Sequence, residues 1–75
     1  MEIETFNINV KILQLDIISE LKINAVEATY EIHLGGILIS TIEYIPERPE
    51  LWYQIKGRLP RGDVKVIGEA IKDYI

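Results

Sequence analysis

The sequence predicts an α+β fold: an antiparallel β-meander of four or five strands with one C-terminal α-helix packed on one face. Three observations point there. Fifteen of the 75 residues are isoleucine, against seven leucines and four valines, and β-branched side chains favour a pleated surface over a helix. Apolar and polar residues alternate with period two through most of the chain. Only the last dozen residues repeat at helical spacing.

The first strand is the cleanest. Phe6, Ile8, Val10 and Ile12 are apolar, with Asn7, Asn9 and Lys11 between them, which describes a half-buried strand. At Ile12-Leu13 the phase flips, and Leu13, Leu15, Ile17, Leu21 and Ile23 carry the apolar odd positions. A one-residue slip turns every side chain to the other face. A bulge or a turn at Ile12-Leu13 would absorb it. A short helix over 17–23, capped by Asp16 and stopped by Asn24, is the alternative. Alternation fits better, so residues 13–24 are read as strand.

Ala28, Tyr30, Ile32 and Leu34 alternate with Thr29, Glu31 and His33, and Gly35-Gly36 follows. Two β-rich runs around a Gly-Gly pair predict a tight hairpin, because such turns demand positive φ. The returning strand covers Ile37 to Ile45 and ends at Pro46, which lacks a ladder donor. Its outward positions are not consistently polar: one of the sets Ile37/Ile39 and Leu38/Ile42/Tyr44 must face away from the helix. Pro46-Glu47-Arg48-Pro49-Glu50 reads as a stiff charged loop, and a further strand runs from Leu51 to about Gly57. Pro60-Arg61-Gly62-Asp63 turns into the helix, where Val64, Ile67, Ala70-Ile71 and Tyr74-Ile75 form one apolar stripe. Asp63 is placed to cap that helix or to sit in its first turn, at the positive end of the dipole. Gly68 lies beside the stripe and predicts a close approach of helix to sheet.

Length bounds the rest. Seventy-five residues predict one domain over 1–75, burying roughly 60% of the surface exposed by the unfolded chain. There is no cysteine, so neither disulfides nor thiolate zinc can staple it. Mean hydropathy is +0.12, high for a chain that hides so little surface, which predicts that another chain covers part of it. A homodimer through an edge strand or the uncovered sheet face is the expectation, with another protein as partner otherwise.

The formal charge is −4 and the pI about 4.8. Nucleic-acid binders carry a basic face, and Lys56, Arg58 and Arg61 are the only basic cluster; nucleic acid is not expected. No run of 18 apolar residues would span a membrane, and the acidic start Met1-Glu2-Ile3-Glu4 is unlike a signal peptide. The expected location is cytoplasmic.

Catalysis is not expected. One histidine, two serines and three threonines form no recognisable nucleophile elbow or triad. His33 beside Glu31 could be an oriented base, yet an exposed strand histidine explains it as well. Glu2/Glu4 and Glu47/Glu50 read as solvated charge, since a hydrolase would need its carboxylates in a cleft. Metal-ligand spacing and a phosphate-binding glycine motif are both missing, so no cofactor is expected. Arg61-Gly62-Asp63 spells an adhesion tripeptide, but short motifs recur by chance and Asp63 has a local task at the helix start.

The strongest surface signal is Arg48-Pro49-Glu50-Leu51-Trp52-Tyr53. Arg, Trp and Tyr dominate interface hot spots, and two prolines reduce the ordering cost of binding. Arg48, Trp52 and Tyr53 are therefore the candidate interaction residues. Strand alternation sends one of Trp52 and Tyr53 inward, leaving the other exposed. The reading is a non-catalytic protein–protein interaction domain. A small-molecule domain with an apolar pocket lined by Tyr30, Tyr44 and Ile71 is the less favoured alternative.

Overall fold

A computed structural model describes residues 4–12, 17–48 and 51–74. Five strands form one sheet in chain order: β1 (Glu4–Val10), β2 (Ser19–Val26), β3 (Thr29–Leu34), β4 (Ile37–Tyr44) and β5 (Trp52–Gly57). All neighbours are antiparallel, and α1 (Arg61–Tyr74) closes the chain. The predicted class and the helix-on-meander architecture are the observed ones.

The phase flip marks the passage from one strand to the next. Phe6 opposes Ile23 and Ile8 opposes Leu21, and directly opposed residues share a face. Even positions on β1 and odd positions on β2 therefore both point to the core. The turn or bulge expected at Ile12-Leu13 falls partly on residues 13–16, outside those described. The strand expected over 13–24 is corrected in part. Pairing with β1 begins only at Ser19, so Ile17 does not join the inward set and is 65% exposed. No helix forms over 17–23, because Ser19–Val26 is strand.

Tight turns carry the hairpins. Gly35 and Gly36 take φ of 59° and 82°, the left-handed values of a two-residue turn whose twist matches its strands. Glu27 occupies the same region at φ 58° between β2 and β3, where a side chain costs about 1–2 kcal/mol. Ala28 lies in that turn rather than in β3.

The ambiguity in β4 is resolved by bulges. His33 opposes Leu38 while Ile32 opposes Ser40, leaving Ile39 as the extra residue. Thr41 opposes Lys56 while Ile42 opposes Gln54, which makes Ile55 extra on β5. Each bulge resets the alternation. Ile42 and Tyr44 consequently pack with the core, while Leu38 is 47% exposed.

The core fills the space between the sheet's inner face and α1. Leu21, Ile23, Ile32, Ile42, Ile67 and Ile71 are completely buried, joined by Phe6, Ile8, Val10, Ile12, Tyr30, Trp52 and Val64. The helix contacts both edge strands, β1 and β5, as well as β4. Phe6 stacks on Tyr74 with ring centroids 4.0 Å apart, tying the end of α1 to β1. Trp52 does the same for β5: a methyl group at Gly68 would overlap its indole, so only glycine lets the helix lie this close.

A polar knot guides the chain from β5 into the helix. The buried Ser40 hydroxyl lies 2.6 Å from Gln54 Oε1 and 3.0 Å from the Lys56 carbonyl oxygen. Gln54 also accepts from the Leu59 amide and donates to the Leu59 carbonyl, both at 3.0 Å. Pro60's carbonyl then accepts from Val64, the first regular bond of α1, and from Asp63, which satisfies one of the helix's orphan first-turn amides. Asp63 takes the first-turn place foreseen for it.

Candidate functional site

The three candidate interaction residues do not share one surface. Arg48 is exposed in the β4–β5 connection, and Tyr53 is 58% exposed on β5 opposite Glu43. Trp52 belongs to the core at 9% exposure. Its ring meets Tyr30 edge-on at 5.5 Å and Tyr44 at 5.0 Å, geometries that stabilise aromatic clusters beyond their buried area. Of the two aromatics, one of which alternation sends inward, Trp52 is the one spent on packing, and the surface goes to Tyr53. The residues expected to line an apolar pocket, Tyr30, Tyr44 and Ile71, pack together with the core: Tyr30 and Ile71 are buried in it, and Tyr44 packs against them.

A concavity does exist one step away. A groove of about 370 Å³ runs between the start of β5 and α1, lined by Leu51, Trp52, Arg61, Val64, Lys65, Glu69 and Lys72. Trp52 and Val64 are buried and supply an apolar floor. Arg61, Lys65, Glu69 and Lys72 recur at three to four residues, so they line one side of α1. Among the described lining residues the rim carries three cations and one carboxylate, on a chain whose net charge is −4. Lys72 Nζ lies 5.4 Å from the centroid of the Tyr44 ring, within cation–π range.

Leu51 forms the lip, and its backbone is strained. Its φ is 64°, a region that a bulky side chain enters at a cost of about 1–2 kcal/mol. Hydrogen bonds hold it there: its amide donates to Arg48's carbonyl, and its own carbonyl accepts from the Ile45 amide. The sequence marks no such strain, since Leu51 reads as an ordinary first strand residue.

Exposed aliphatic surface collects elsewhere. In a meander the β1–β2 and β3–β4 connections lie at the same end of the sheet. That end displays Ile17 at 65%, Ile18 at 64%, Ile37 at 68% and Leu38 at 47% exposure. No charged residue occurs in 17–19 or 34–38. Compared with protein-family models, curated proteins and solved structures, the chain matches none of them. Function must be argued from these surfaces alone.

The remaining motifs stay apart from the groove. His33 opposes Lys22 and Leu38 on the sheet's outer face, and its Nδ1 is buried without a hydrogen-bond partner. Glu31 does not orient it. Of the paired carboxylates, Glu2 and Glu50 lie outside the described residues. Among the described residues no three His, Asp or Glu side chains gather as a metal would require. None of their helices is long and apolar enough to cross a membrane.

Proposed function

We propose that this chain is a non-catalytic protein–protein interaction domain whose first partner is a second copy of itself. One observation carries the reading: four large aliphatic side chains, Ile17, Ile18, Ile37 and Leu38, stand exposed at one end of the sheet. Such patches mark association surfaces on small proteins. An apolar surface is complementary to itself, so it suits a twofold contact in which the same surface meets its copy. Tyr53 and Ile55, exposed on β5, supply a second apolar area for another partner.

Sedimentation equilibrium across a concentration series tests this. A monomer–dimer equilibrium is expected for the wild-type chain. Ile37→Asp should shift it to monomer by at least tenfold in dissociation constant, since two carboxylates would then be buried in an apolar contact. The side chain is exposed, so the fold itself should stay intact by circular dichroism. A mass of 8.6 kDa at every concentration would remove the proposal.

A further inference from the structure

We propose that the groove between α1 and the start of β5 binds a small amphipathic organic anion, an aliphatic or aromatic body carrying one carboxylate or sulfonate. The groove's shape fits an apolar body. Its floor is the edge of Trp52 together with Val64, and Leu51 closes one side. A volume of about 370 Å³ lies in the range of sites that enclose small ligands rather than folded partners.

Charge selects the anion. Lys65 and Lys72 stand on the rim two helical turns apart, roughly 10 Å along the axis. Glu69 is the only acid among the described residues that line the groove. A local positive rim on an acidic chain is opposite in sign to the molecule as a whole, so it attracts a charge that the rest of the surface repels. A carboxylate bridging towards Lys65 or Lys72 would gain charge-assisted hydrogen bonds beside a low-dielectric floor.

Leu51 adds an independent observation. The loop could reverse at this position more easily with glycine, yet a leucine is held at φ 64° in the lining of the groove. Strain maintained by surrounding hydrogen bonds clusters at ligand sites. The self-association surface lies elsewhere: Ile37 and Leu38 begin β4, whereas Leu51 follows its far end.

The full chain can be titrated with the aromatic sulfonate 1-anilinonaphthalene-8-sulfonate while exciting Trp52, its one tryptophan. Saturable energy transfer at one probe per chain is expected, with decanoate displacing the probe. Lys65→Glu with Lys72→Glu should weaken both ligands at least tenfold, while Lys56→Glu, outside the groove, should leave them within twofold. Circular dichroism keeps loss of binding distinct from loss of fold. Equal affinity in the double lysine variant would overturn the assignment. So would a probe signal abolished by Ile37→Asp instead, which would place the probe on the apolar end. Binding of an acidic peptide with no response to decanoate would overturn it too, by making the occupant a protein segment.

Discussion

Among the described residues, Glu27 and Leu51 are the two with side chains that are held at positive φ, and they occur for different reasons. Glu27 is exposed in a turn and touches no ligand surface, so its strain is a defect that glycine would relieve. Relief of about 1–2 kcal/mol is set against the extra entropy glycine loses on folding, about 0.5–1 kcal/mol. Glu27→Gly should therefore raise the unfolding free energy by about 0.5–1 kcal/mol in urea titration; a loss of stability would show that Glu27 makes a favourable contact in the turn. Single residues also show where reading by type stops. Trp52 and Tyr53 are adjacent aromatics of similar interface propensity, and only the direction of the strand's pleat decides that one is core and the other surface.

The helix depends on one glycine. Replacing glycine by alanine in a helix interior ordinarily gains about 1 kcal/mol. At position 68 that gain is outweighed, because the new methyl would enter the Trp52 indole, which Tyr30 and Tyr44 flank and so cannot easily shift. Overpacking of this kind costs about 1–3 kcal/mol beyond any propensity gain. Gly68→Ala should lower the chemical-denaturation midpoint and alter Trp52 emission, whereas Gly62→Ala, where a methyl meets nothing within 4 Å, should not lower it. Most elements were legible from the chain: the period-two runs, the Gly-Gly turn and the apolar stripe each state their structure locally. The bulges at Ile39 and Ile55 were not, because a bulge is a mismatch between two strands and leaves no mark in either one alone.

For the whole molecule, the question is how a short chain tolerates so much aliphatic surface. Seven of the described isoleucines are buried, while Ile17, Ile18, Ile37 and Ile55 remain 45% exposed or more. If a second copy covers Ile17, Ile18 and Ile37, association stabilises the folded state by mass action. The thermal midpoint should then rise with protein concentration in calorimetry, and Ile37→Asp should flatten that dependence. A midpoint independent of concentration in the wild-type chain would argue that these side chains simply face water.

By itself the sequence determined the class, the meander, the helix and the inward faces of β1, β2 and β3, because hydrophobic periodicity is a local property enforced by burying one face. Tertiary structure decided the rest. Which β4 residues face out depends on bulges between strands, and the apolar end arises because two connections far apart in sequence meet at one end of the sheet. The groove exists because Gly68 brings α1 against Trp52, setting Lys65 and Lys72 over a floor contributed by another element. Sites of this kind are juxtapositions, and no local pattern in the chain encodes a distance between residues on different elements.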